Sequence, residues 1–253
     1  MKSERAETLS GIHPVLETLK SGRRRVELIQ VSQGRQDRRV REILSLASRR
    51  GVPVKRIPRE ELDRAAGGRP HQGVVARVTG RGPVSVEEVL ATAGGRPFFL
   101  VLDQVEDPQN LGAILRSAAA ARVDGVFVPE HGSAGLTAAV TRASAGHADK
   151  VRVAAAGNLV ALLERLKGLG IWIVGLDAEA RTPWTEFDYS LPVALVLGGE
   201  GKGMRRLVRE HCDVRVGIPL AAGVDSLNVS VAAGVAVFEV VRQRGERGPG
   251  SRS

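Results

Sequence analysis

Three short stretches of this 253-residue chain combine residue types able to do chemistry: EDPQN at 106–110, GGEGKG at 198–203 and PLAAGVDSLN at 219–228. They offer Asn110, Glu200, Ser226 and Asn228 together with many backbone donors, and Arg116 follows Asn110 by six residues in the Ala-rich run LGAILRSAAAA. They hold no catalytic histidine, reactive cysteine or metal cluster: the five histidines show no ligand spacing and Cys212 is the single cysteine, so no metal is expected. That inventory suits a reaction in which a cofactor supplies the reactive group and the protein positions it.

Each stretch also has a plainer reading. GGEGKG is not a phosphate loop, because Val196 stands where the first glycine is needed and Gly203 where the magnesium-binding Ser or Thr belongs. No dinucleotide fingerprint occurs in the first βα turn, DQVEDPQN. What remains is either a glycine backbone able to approach a flat ligand or a tight turn capped by Glu200. Asn110 occupies an expected N-cap, with the helix running from Leu111 and Arg116 about one and a half turns in. If Arg116 is buried it needs an anion, supplied by Asp103, by Asp107 or by a substrate phosphate. Ser226 or Asn228 either caps the following helix or faces a ligand.

Elements that would position these loops are legible in the hydrophobic pattern. From Phe98 onward, FFLVLDQV, GVFVPE, VRVAA, IWIVGLDA, VALVLGGE and VRVGIPL alternate with helical segments. Strands apolar on both faces indicate a parallel sheet covered by helices, a doubly wound α/β fold. Ligands in such sheets bind beyond the carboxyl ends of the strands, where all three stretches fall. The last helix, SLNVSVAAGVAVFEVV, is apolar nearly all round and is expected to be central. Before Phe98, residues 10–78 read as a small α/β unit with three strands, VELIQVSQ, VPVKRIP and QGVVARV, and an amphipathic helix with Val40, Ile43, Leu44 and Leu46 on one side. Residues 79–97 read as a linker holding one short helix capped by Ser85, and 245–253 as a disordered tail.

Charge separates the two parts. Of 37 basic residues 31 are Arg, and the first 75 residues carry 17 basic against 9 acidic ones, a net +8 out of a total +9. An Arg-rich module is an electrostatic footprint for nucleic acid, and a solvated Arg-biased surface is the alternative. No run approaches a membrane span and the start lacks a signal-peptide core, so with one cysteine a reducing, cytoplasmic setting is expected.

The residues DPQNLGAILRSA, LVLGGEGKGMRRLVREHCD and IPLAAGVDSLNVSVAAGVAVFEVVRQR resemble, in order, the three motifs of the SpoU/TrmH-type RNA 2′-O-ribose methyltransferases of the SPOUT superfamily. The segment from SGIHPVLETL to HQGVVARV resembles the L30e-like substrate-binding domain attached to many members. The resemblance implies a catalytic domain over 98–244 with a deep trefoil knot, and S-adenosylmethionine held there by Leu197, Gly198, Gly199, Ile218, Leu220 and Leu227. It gives Asn110, Arg116, Glu200, Ser226 and Asn228 the catalytic and substrate-orienting roles. It further implies a homodimer packed partly through the last helix, and the subgroup it most resembles methylates a guanosine ribose in 23S rRNA. The alternatives are a tRNA ribose methyltransferase of the same fold and a non-catalytic RNA-binding or ribosome-assembly protein.

Overall fold

The computed structural model describes residues 6–22, 24–35, 37–79, 82–201 and 203–245, so all but Gly245 of the tail expected at 245–253 lies outside the described residues. The chain divides into two compact units, Met1–Gly82 with Gly135–Lys150, and Pro83–Ala134 with Val151–Ser253.

The first unit runs β1 (Ala6–Ser10), α1 (Ile12–Ser21), β2 (Val26–Ser32), α2 (Arg38–Arg49), β3 (Val54–Ile57), α3 (Arg59–Ala65) and β4 (Val74–Thr79). Its sheet has the order β1-β4-β2-β3, with β2 and β3 parallel and β4 antiparallel to both β1 and β2. β1 goes beyond the three strands legible in the sequence: AETLS is short and carries little apolar signal, and pairing with β4 makes it a strand. α2 is capped by Asp37, whose side chain accepts from the amides of Arg39 and Val40, and it buries Val40, Ile43 and Ala47 while Leu44 and Leu46 lie half-buried. The helix Ala138–Ala143 and the 3-10 turn His147–Lys150 also belong to this unit. Thr18 Oγ1 donates to Asp149 Oδ2 at 2.8 Å and the buried Arg24 lies 3.4 Å from Asp149 Oδ1, which ties that segment to α1 and to the loop before β2.

The second unit contains α4 (Val86–Ala91), β5 (Phe98–Asp103), α5 (Pro108–Ala120), β6 (Gly125–Pro129), β7 (Val153–Ala156), α7 (Leu159–Gly168), β8 (Trp172–Leu176), β9 (Val193–Gly198), α8 (Arg206–Glu210), β10 (Val214–Val216) and α9 (Val229–Arg244); the helix Ala138–Ala143 is α6. Its six strands are those the apolar runs mark, all parallel, in the order β10-β8-β9-β5-β6-β7. The central pair β5 and β9 is buried on both faces, as a sheet between helices requires. Within the stretch read as linker, Ser85 Oγ accepts from the Glu88 amide to start α4, and Val89 joins the core formed by Phe99, Phe127 and Leu163.

Two local expectations are corrected. Asp107, not Asn110, caps α5: its side chain accepts from the Gln109 amide, and Pro108 takes the first helical position, where a missing N–H costs nothing. α9 is not central in the single chain. One side packs against α5, while Val231, Val235 and Phe238, spaced along one face, are 52%, 37% and 48% exposed.

Candidate active site

The carboxyl ends of β8, β9 and β10 surround a cavity of about 510 Å³. It is lined by all six residues proposed to hold a cofactor, Leu197, Gly198, Gly199, Ile218, Leu220 and Leu227, and also by Glu200, Ser226 and Asn228. Its size lies within the usual range for small-molecule sites, roughly 300–1,000 Å³.

The glycines are required by space. A Cβ on Gly198 would collide with the backbone of Gly203 and Met204, and one on Gly199 with the carbonyl oxygen of Gln104. Gln104 itself sits at φ 62, a left-handed conformation that turns the chain directly after β5. The loop after β9 is pinned from below. Gly199 N donates to Asp103 O at 2.7 Å, and the fully buried Asp103 carboxylate accepts from both Arg205 N and Arg205 Nε at 2.7 Å. Asp103 is therefore engaged by Arg205, and Asp107 by its cap, so neither is the partner of Arg116.

The three loops meet in one hydrogen-bonded chain. Asn110 Nδ2 donates to Glu200 Oε1, and Asn228 Nδ2 donates to Asn110 Oδ1 at 3.0 Å. Asn228 Oδ1 in turn accepts from Ser230 N at 2.9 Å and Ser230 Oγ at 2.6 Å, so Asn228 caps α9 and belongs to the chain at once. Ser226 faces the same cavity from an exposed loop position. Arg116 stands apart: it is exposed on α5, outside the cavity lining, with no hydrogen-bond or ion-pair partner among the described residues.

One group at the rim is missing from the sequence reading. Asp177, just past β8 and 8% exposed, receives Arg209 Nε at 2.7 Å, Arg209 Nη2 at 3.0 Å and Arg215 Nη1 at 3.1 Å. Arg209 Nη2 also reaches Glu179 Oε2 at 2.6 Å. The Arg209 hydrogen bonds outweigh burial and hold the Asp177 carboxyl down at about 2. The rule that selected the other loops applies equally to IWIVGLDAEA, whose two acids follow a strand end on the same side of the sheet. Cys212 is chemically quiet, since burial pushes its thiol up to about 12.

A parallel sheet with a glycine-rich cradle at its strand ends and three loops bonded to one another above it makes a site suited to a bound cofactor. Residues 97–238 match the SpoU rRNA methylase family and residues 8–84 the RNA 2′-O ribose methyltransferase substrate-binding domain; the chain belongs to the SpoU rRNA methylase family. It is 44% identical over 241 residues to the 23S rRNA (guanosine-2′-O-)-methyltransferase RlmB of Pseudomonas putida, covering 94% of this chain and 97% of that one. Among solved structures it is similar to an RNA 2′-O ribose methyltransferase, with a TM-score of 0.81, 26% identity and coverage of 96% of this chain and 90% of that one. The SpoU methyltransferase AviRb of Streptomyces viridochromogenes, solved with S-adenosylmethionine, shares the fold with a TM-score of 0.78 at 24% identity, covering 94% of this chain and 90% of that one. Among the described residues no helix is long and apolar enough to cross a membrane.

Proposed function

We infer that this chain transfers a methyl group from S-adenosylmethionine to the 2′-oxygen of a guanosine ribose in 23S rRNA. The observation that carries this reading is the bonded chain Glu200–Asn110–Asn228 over a glycine-floored cavity, in a chain similar along nearly its whole length to an enzyme named for that reaction. The cavity suits the cofactor: the glycines at 198–199 let neighbouring backbone close tightly to form its floor, and Leu197, Ile218, Leu220 and Leu227 supply apolar walls. When bound, S-adenosylmethionine supplies an electrophilic methyl group on a sulfonium.

The chain's own residues align the acceptor. Asn110 is held between Glu200 and Asn228, which line the cavity, and Ser226 lines the same cavity. Arg116 presents its guanidinium on the exposed face of α5, with no internal partner among the described residues. It therefore acts as a clamp on an RNA phosphate and on the negative charge that develops on the 2′-oxygen, and the proton of the ribose hydroxyl passes to bulk water as the oxygen–methyl bond forms and the sulfur–methyl bond breaks. Residues 10–78 hold the RNA, 79–97 link them to the catalytic domain at 98–244, and the C-terminal strands of that domain are threaded in the family's trefoil knot. The exposed stripe Val231, Val235 and Phe238 supports a homodimer packed through α9. The setting is the cytoplasm, where its RNA is found.

Transfer of labelled methyl to 23S rRNA fragments, followed by nucleoside mapping, tests this reading. The expected product is 2′-O-methylguanosine in rRNA. Label recovered only in tRNA, or no transfer with cofactor bound, would overturn it.

A further inference from the structure

We propose that the groove at the starts of β2 and β3, in the first unit, is a track for the sugar-phosphate backbone of an RNA strand, with Arg25 and Arg50 each on one phosphate. The inference rests on the RNA-substrate reading above and adds to it a contact surface outside the cofactor cavity.

The groove has a volume of about 720 Å³ and is lined by four arginines, Arg24, Arg25, Arg50 and Arg77, against one acid, Glu27. Internal pairing accounts for two of the four positive charges. The Arg24 side chain is buried and lies 3.4 Å from both Glu7 and Asp149, so its charge is answered inside the unit. Arg77 Nε donates to Glu27 Oε2 at 2.8 Å, and a register shift between Val26 and Leu28 leaves Glu27 out of the ladder with β4. Arg25 is exposed, and its side chain has no hydrogen-bond or ion-pair partner among the described residues. Arg50 is exposed too and has a main-chain acceptor in place of an acid, its Nη2 donating to Lys20 O at 3.2 Å. Two guanidinium charges therefore border the groove with no carboxylate to answer them.

Both residues are anchored before any ligand arrives. Arg25 N donates to Thr79 Oγ1 at 3.1 Å and Thr79 N donates to Arg25 O at 2.9 Å, which fixes the Arg25 backbone against the end of β4. Arg50 lies against the end of α1, where a Cβ on Gly22 would stand 2.7 Å from Arg50 Nη1. A cation at a helix C-terminus is favourable by itself, but the bond to Lys20 O uses one of five guanidinium N–H groups and leaves the charge in place. The non-bridging oxygens of a phosphodiester match the remaining fork. Val26, Val52 and Pro53 add apolar lining on which a ribose can rest. Among the described residues that line the groove none is aromatic, so the contact is with the backbone of the strand and not with stacked bases.

The test measures binding of a single-stranded oligouridylate to the full chain by fluorescence anisotropy over a range of salt concentrations. Arg25→Gln is expected to weaken binding several-fold and to flatten the slope of log K against log salt by about 0.7, the contribution of one phosphate on a single strand. The double variant Arg25→Gln/Arg50→Gln is expected to flatten it by about 1.4, because the two residues hold separate phosphates. Arg25 has no partner to lose, so its variant is expected to keep the wild-type melting temperature and carries the test if the double variant does not fold. Arg50→Lys keeps the charge at the end of α1 and is expected to keep the wild-type slope. Arg59→Gln, on the exposed start of α3 and not among the residues lining the groove, removes the same charge and is expected to leave the slope unchanged. A wild-type slope in both Arg25→Gln and the double variant overturns the proposal, as does equal flattening by Arg59→Gln or failure of the wild type to bind the oligouridylate. Nucleoside mapping on 23S rRNA fragments is scored separately. Slopes as expected without methyl transfer to rRNA support the groove and refute the 23S rRNA reading, whereas methyl transfer with unchanged slopes retains that reading and refutes the groove.

Discussion

Gly199→Ala tests the claim that the cofactor cradle is fixed by a backbone contact across two central strands. Gly198 is the last residue of β9 paired with β5, and Gly199 then donates to Asp103 O at 2.7 Å while its Cα faces the Gln104 carbonyl. An added methyl group collides with that carbonyl oxygen and lies 2.7 Å from its carbon, and neither atom belongs to a side chain that could swing away. Strands β5 and β9 must separate locally. Losing the hydrogen bond costs about 1 kcal/mol and overpacking about 1–3 kcal/mol, so a destabilisation of about 2–4 kcal/mol is expected. If one third of that falls on the cradle geometry, S-adenosylmethionine binding weakens by about three- to ninefold, since a factor of ten corresponds to about 1.4 kcal/mol. Gly201→Ala is the control: nothing lies within 4 Å of a Cβ there, but its φ of +78 leaves a cost of about 1–2 kcal/mol for the left-handed backbone alone. Urea denaturation and calorimetric titration of the cofactor measure both effects. Should Gly199→Ala bind cofactor within twofold of wild type and lose no more stability than Gly201→Ala, the steric account of the cradle is refuted.

Four further outcomes are expected. Asn228→Asp keeps the acceptor that caps α9 but loses the donor to Asn110, so it leaves stability nearly unchanged and slows methyl transfer, whereas Asn228→Ala also loses about 1 kcal/mol of cap; equal activity in Asn228→Asp and wild type would remove Asn228 from the bonded chain. Arg116→Ala, at an exposed position without a partner, changes stability by less than about 0.5 kcal/mol yet lowers kcat about 100-fold; a loss within a few-fold contradicts the clamp. The Asp177 carboxyl is held lower in the folded state than in the unfolded chain, so its contribution of up to about 2 kcal/mol is present above pH 4 and fades as pH falls from about 4 toward about 2; Asp177→Asn should abolish that part of the acid dependence measured by denaturant titration. Phe238→Asp should convert a homodimer to monomer in light scattering with little loss of monomer stability, because the side chain is half exposed; a persistent dimer places the interface elsewhere.

The second sheet was readable because its strands are apolar on both faces, and burial between helices demands that pattern at every position of β5 and β9. β1 was not, because AETLS owes its strand to a partner about 70 residues away and not to its own alternation. The cap of α5 was misplaced by three residues: Asp107 and Asn110 are both capping types, and only the helical start at Pro108 decides between them. The apolar face of α9 gave the correct helix with the wrong surroundings, since periodicity cannot distinguish a stripe buried in the chain from one left exposed on it.

By itself the sequence determined the residue types available for chemistry, the absence of nucleotide phosphate loops, the six-strand pattern and the three motif loops of a ribose methyltransferase. It could not determine which of those residues touch. The bond from Asn110 to Glu200 spans 90 positions and that from Asn228 to Asn110 spans 118, and both exist because parallel strands bring their carboxyl ends to one edge of the sheet. The same edge brings Asp177 to Arg209 and Asp103 to Arg205, and leaves Arg116 exposed with no partner among the described residues. Distances along the chain carry no information about those choices; the order of the strands does.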